Sequence, residues 1–202
     1  NARNNDGETV FLQSASDGNL NIVKYLTTIP EIDLAISDSH GKNALHFLVE
    51  QDNLQLVTYL ISLNKIPLNQ IDESENTLLH YACELENIDI LKYLSKFDEI
   101  DLNAKNKDYE TLLHITSKYG QIESTQYLIS LNKIDIHAED NKGKTIFHNA
   151  CYRGKLELIQ YLVSLDKFDI NAKTKDGETP LSLAIKNRKL SIIKYIASLP
   201  EI

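Results

Sequence analysis

"KTIFHNACYRGKLELIQYLVSLDKFDINA", residues 144–172, sets a histidine, a cysteine, two tyrosines and an arginine close together. In isolation, His148 beside Cys151 would hint at a nucleophilic pair. The rest of the chain changes that reading. "NALH" at 43–46, "TLLH" at 77–80 and again at 111–114, and "TIFH" at 145–148 place His46, His80, His114 and His148 at steps of 34 residues. The register extends outward to "TVFL" at 9–12 and "TPLS" at 179–182. A second marker keeps the same step at Tyr25, Tyr59, Tyr93, Tyr127, Tyr161 and Tyr195. A fixed period with no insertion or deletion is the signature of a repeat array rather than of unrelated domains.

Residues 140–173 give the content of one unit. "DNKGKT" is turn chemistry, with Gly143 suited to a positive φ. "IFHNACYR" predicts a short helix closed by Gly154. "LELIQYLVSL" predicts a second helix, with Leu156, Ile159, Leu162 and Leu165 as its apolar stripe. "DKFDINAKTKDGET" then leads as an extended excursion into the next unit. Two short helices cannot bury their apolar faces alone, so neighbouring units must share one core. The units run at about 4–37, 38–71, 72–105, 106–139, 140–173 and 174–202, read as one domain over 1–202.

The pattern D-x-x-G-x-T-P-L-H-x-A is matched by "DNKGKTIFHNA" at 140–150, and the final unit reads "KDGETPLSLA" at 175–184. On these residues the chain resembles the ankyrin repeat family over essentially its whole length. The usual unit of that family is one residue shorter, and the extra residue falls between the second helix and the finger loop, as in "SLNKIDIHA" at 130–138. The helical tetratricopeptide repeat shares the period but has no long loop. The resemblance implies an all-α, ankyrin-type repeat solenoid of stacked helix-turn-helix units with extended finger loops. Glu75 and Tyr109 stand where other units have the finger glycine, and Asp52, Glu86 and Arg188 where others have the inter-helix glycine. A non-glycine at positive φ costs roughly 1 kcal/mol, so reshaped finger tips are expected at Glu75 and Tyr109.

The candidate chemistry then becomes architecture. Stacked helices lie roughly 10 Å apart, too far for neighbouring histidines to share a zinc ion with bonds of about 2 Å. The resemblance implies that each imidazole hydrogen-bonds backbone and the nearby threonine. Catalysis by one histidine would need a nucleophile and an orienting carboxylate in reach, and no unit is specialised that way. Cys83 and Cys151 occupy the same position two units apart, where other units carry Ala15, Val49, Ser117 and Ile185, so they read as small buried residues. The six tyrosines read as inter-repeat packing within a buried stripe rather than a ligand-stacking ladder. Phosphate loops, paired catalytic carboxylates and CxxC motifs are missing. The reading is non-enzymatic, with no metal and no cofactor.

Composition agrees with a folded protein: 42% of the 202 residues are hydrophobic and 25% charged. A net charge of −8 argues against nucleic acid as a general partner. No apolar run reaches membrane-spanning length, so no membrane insertion is expected. Two cysteines make no disulfide framework, which favours an intracellular, cytoplasmic setting. The chain opens with "NARNNDGET" in register with "NAKNKDYET" at 103–111, and closes with "SLPEI" at 198–202 in register with "TIPEI" at 28–32. It is therefore read as a segment of a longer array. The last helix pair keeps Leu183, Ile185, Ile192, Ile193 and Ile196, and this predicts end-to-end self-association through exposed terminal units, with Ile185 and Ile192 at the surface.

In the family that the chain resembles, the finger tips and the open side of the first helix form a concave working face. The matching positions here are Phe47, Glu50 and Gln51; Tyr81, Glu84 and Leu85; Ile115, Lys118 and Tyr119; Asn149, Tyr152 and Arg153; and Leu183, Lys186 and Asn187. Tyr81, Leu85, Lys118, Tyr119, Tyr152 and Arg153 are the candidate partner-binding residues, since aromatic and arginine side chains dominate interface energetics. Acidic residues such as Asp6, Glu8, Glu50, Glu73 and Glu84 load the N-terminal half, and Lys118, Lys142, Lys144, Arg153 and Lys186 load the other. The expected function is non-catalytic recognition of a protein partner. The alternative is a spacer or spring within a longer solenoid.

Overall fold

A computed structural model describes residues 2–200. The seam of the repeat at Asn1 and at Glu201 and Ile202 lies outside the described residues. Twelve helices and no strands are present among the described residues, with one isolated bridge between Ser37 and Asn43. The helices fall into two compact units, residues 1–102 and 103–202.

The first unit holds α1 (Val10–Ser16), α2 (Leu20–Leu26), α3 (Ala44–Glu50), α4 (Leu54–Ser62), α5 (Leu78–Glu84) and α6 (Ile88–Leu94). The second holds α7 (Leu112–Tyr119), α8 (Ile122–Ser130), α9 (Ile146–Arg153), α10 (Leu156–Ser164), α11 (Pro180–Lys186) and α12 (Leu190–Ile196). Consecutive helices pair as hairpins. Within the first unit α3 packs between α1 and α5; within the second, α9 packs between α7 and α11.

Each first helix starts where its sequence supplies a cap. Asn43, Thr77, Thr111, Thr145 and Thr179 precede helices whose third residue reaches back to the cap's own N–H, closing a capping box. The second helices have two lengths. α2, α6 and α12 have seven residues, whereas α4, α8 and α10 have nine. The longer ones end on Leu63, Leu131 and Leu165, followed by Asn64, Asn132 and Asp166 at φ of 51°, 52° and 49°. Asn and Asp tolerate this left-handed conformation better than most residues.

The core face of α10 is Leu158, Ile159 and Leu162, while Leu156 and Leu165 are half-buried. The stripe expected from spacing is therefore rotated. Steps of three fall short of the 3.6-residue turn and drift around the helix, whereas i, i+1 and i+4 stay on one side. The marker tyrosines are less buried than a core stripe: Tyr25 is exposed and the other five are half-buried. Tyr59 does link repeats, with its hydroxyl 2.7 Å from Thr27 Oγ1.

The fingers are built by one device. The side chain of Asn4, Asp38, Asp72, Asn106 or Asp140 accepts from the backbone N–H groups two and four residues later, at 2.7–3.0 Å. These turns mimic a backbone turn with a side-chain oxygen. Adjacent fingers are then tied by backbone bonds: Ser39 N–H to Asp6 O and Glu73 N–H to His40 O in the first unit, Asn141 N–H to Asp108 O and Lys175 N–H to Lys142 O in the second. Glu75 and Tyr109 adopt φ of 62° and 61°, in the same left-handed region as Gly41 and Gly143. Their finger tips keep the shape of the others instead of being remodelled, because the turn and its neighbours over-determine the backbone there. Asp52, Glu86 and Arg188 likewise keep positive φ between the helices.

Candidate functional site

The recurring histidines sit at the base of the fingers and their chemistry is spent on structure. Thr111 N–H donates to His114 Nδ1 at 3.2 Å, so Nδ1 is an acceptor and Nε2–H donates to Lys144 O at 2.9 Å. His148 repeats the arrangement, with Nδ1 accepting from Thr145 N–H and Nε2 directed at Ala172 O and Glu178 O, 3.0 and 3.2 Å away. Each of these imidazoles joins its own helix cap to a later finger. Burial holds both below the ordinary histidine pKa. In His46 burial brings it down to about 4, and its Nε2 makes no hydrogen bond of normal geometry. The sulfur groups are equally unreactive: Cys83 and Cys151 are free and buried, and burial pushes both thiols up. Replacing His114 with Ala should cost about 1–3 kcal/mol, since it leaves the buried Thr111 N–H without the imidazole acceptor and removes one of the two donors to the Lys144 carbonyl, the other being Asp140 N–H. Urea unfolding measures this, and an unchanged midpoint would remove the structural role.

The first-helix positions divide by register. Phe47, Tyr81, Ile115, Asn149 and Leu183 are all buried. This whole position, expected at the surface, is covered. Tyr81 shows why: at 8% exposure, its hydroxyl donates to Asp72 Oδ2 at 2.6 Å and so braces the start of the finger. Burial and then the neighbouring Asp72 carboxylate push its phenol pKa up; the hydrogen bonds from Tyr81 and Asn76 hold Asp72 below its usual value against the opposing effect of burial. Three and four residues further along the helices the side chains are open. Leu85 on the first unit is 46% exposed; on the second, Tyr119 and Tyr152 are each 41% exposed, Arg153 is exposed and Lys118 half-buried.

Sequence reading missed a set of rungs that link each finger to its own first helix, eight residues apart. Lys42 pairs with Glu50 at 2.7 Å, Lys118 with Glu110 at 3.0 Å and Lys186 with Glu178 at 2.8 Å. Each pair joins a finger loop to a helix, so the periodicity of neither element announces it. Each unit has a groove between its fingers and its first helices. In the first unit a groove of about 530 Å³ is lined by Asp6, Glu8, Asp38, Asp72 and Glu73 with Lys42, Phe47 and Tyr81. In the second, one of about 280 Å³ is lined by Lys118, Lys142, Lys144, Asn149, Tyr152 and Arg153 together with Asp108, Glu110, Asp140 and Asn141.

Among the described residues no group of three or more His, Cys, Asp or Glu side chains is set to hold a metal ion, and no helix is long and apolar enough to cross a membrane. The model of the family described as ankyrin repeats (3 copies) matches the chain in three stretches, residues 1–72, 61–140 and 113–202. No curated relative matches the chain.

Proposed function

The chain belongs to the ankyrin repeat family, a family of protein–protein interaction modules, and from that premise we propose that it binds a protein partner through the face formed by its fingers and first helices. One observation carries the reading. Tyr119 and Tyr152 lie on the adjoining helices α7 and α9, each 41% exposed, although the interior of that unit is already filled by Leu112, Leu113, Ile146 and Phe147. Folding has no further use for these rings in the core, and half-exposed tyrosine is a favoured interface side chain. Lys118 and Arg153 stand beside them, and Leu85 supplies a similar apolar group on the first unit. Tyr81 contributes from beneath, as the brace of its finger.

Tyr119→Ala combined with Tyr152→Ala should reduce capture of a specific partner by at least about tenfold, the scale of a hot-spot pair, while thermal unfolding moves little. Affinity capture from the source cell, with wild-type chain as reference, reads both. Retained capture would transfer the activity to another face.

The spacer reading has its own support. Ile185 and Leu190 of the last hairpin are 55% and 62% exposed, and Val10, Ile22 and Tyr25 of the first are exposed as well. Under that reading this apolar surface meets a further repeat or a second copy. Ile192, expected among the exposed groups, is fully buried, so it takes no part.

A further inference from the structure

Charge is divided unevenly between the two units. Residues 1–102 carry six Lys and Arg against seventeen Asp and Glu, a net −11; residues 103–202 carry fifteen against twelve, a net +3. The groove of the second unit is lined by Lys118, Lys142, Lys144 and Arg153 against Asp108, Glu110 and Asp140, and there one rung changes chemistry. In three rungs a lysine faces a glutamate eight residues away. In the fourth, the partner of Lys144 is Tyr152, and the ammonium sits 5.3 Å from the ring centroid. A cation over an aromatic face is attracted but not neutralised. Arg153 approaches the same ring at 5.9 Å, and Lys142 projects from the finger into the same groove. None of these three cations has a carboxylate in ion-pair range among the described residues.

The carboxylates of the groove are committed elsewhere. Asp140 accepts the backbone N–H groups of Lys142 and Lys144, Asp108 accepts from Asn141 Nδ2 at 3.1 Å, and Glu110 holds Lys118. They maintain the fingers and leave the exposed Lys142 and Arg153 and the half-buried Lys144 around one half-exposed tyrosine.

We infer that this groove is the docking site for an acidic segment of the partner protein, with glutamate or aspartate side chains seated among Lys142, Lys144 and Arg153 and an apolar side chain laid on Tyr152. The inference rests on the interaction reading above and names the chemistry that the same face selects. A peptide suits the groove better than nucleic acid. Its carboxylates are separated by neutral residues and bypass Asp108 and Asp140, whereas a phosphate backbone brings continuous charge against them and against a chain of net −8. Charge complementarity of this kind sets specificity and association rate.

The test uses the full chain and a short fluorescein-labelled peptide alternating glutamate with serine and leucine, followed by fluorescence anisotropy at low ionic strength. Lys142→Gln with Arg153→Gln should weaken binding about tenfold or more, as expected for loss of charge-assisted contacts. Lys167→Gln with Lys173→Gln removes the same charge outside the groove and should change affinity by less than about twofold, as expected for screened surface charges. Circular dichroism checks that both variants are folded. Equal weakening in the two variants would reduce the effect to net charge and overturn the inference. So would a single-stranded oligodeoxynucleotide that outcompetes the peptide. If the peptide fails to bind while Tyr119→Ala with Tyr152→Ala still abolishes partner capture, the acidic class falls and the interaction face stands. If capture is also unaffected, both fall.

Discussion

Phe147→Ala is expected to lower the unfolding free energy by about 3–5 kcal/mol, the usual cost of truncating a fully buried phenylalanine. Phe147 has no exposed surface and lies on α9, which packs between α7 and α11. The fingers on either side are tied by backbone hydrogen bonds and by His114 and His148, so the helices cannot close over the gap. Most of the cavity term should therefore survive relaxation. Tyr152→Ala on the same helix removes a ring that is 41% exposed and should cost under about 1 kcal/mol. Urea titrations of the two variants separate packing from recognition within a single helix. If Phe147→Ala cost no more than Tyr152→Ala, the placement of Phe147 in the core would be wrong.

Acidification should destabilise the protein well above the carboxylate range. His46, His114 and His148 have native pKa values below the ordinary 6.5, because burial disfavours the imidazolium. The unfolded chain therefore binds more protons than the native chain below pH 6.5, and stability rises with pH in that interval. The contribution is complete above about pH 7, declines as pH falls through 6.5, and for His46 continues to be lost until about pH 4. His46 alone should account for about 2 kcal/mol between pH 7 and pH 5, and His114 and His148 add loss of the same sign. Urea midpoints across this range measure the slope. His46→Asn should make it shallower, and a wild-type midpoint independent of pH from 7 to 5 would contradict the burial of these rings in neutral form.

The parts of the molecule that could be read from the chain are those made within a few residues. The 34-residue step of the histidines gave the repeat, and the pattern matched by "DNKGKTIFHNA" at 140–150 carried the resemblance to the family. Asp140 or Asn106 before its turn, the threonine cap, and Nδ1 of the histidine three residues beyond it each act on backbone groups at most four residues away. A short string carries such geometry in full, so finger, cap and first helix follow from it. The half-exposed Tyr119 and Tyr152 were also legible, as aromatic side chains outside the apolar face of their helices.

Tertiary structure alone decided which residues the face presents. Phe47, Tyr81, Ile115, Asn149 and Leu183 look like open helix positions in the sequence, but the fold buries them, and the Tyr81 hydroxyl is bonded to Asp72. The left-handed backbones of Glu75 and Tyr109 were not visible in residue type either, since the preference of the side chain opposes them and the stacked turns prevail. The rungs, and the replacement of a carboxylate by Tyr152 opposite Lys144, join a finger loop to a helix, so no single element's period reveals them. Local hydrogen bonding is fixed by neighbours in the chain; burial and charge pairing depend on which helices and fingers the fold brings against a helix, and only the folded packing supplies that.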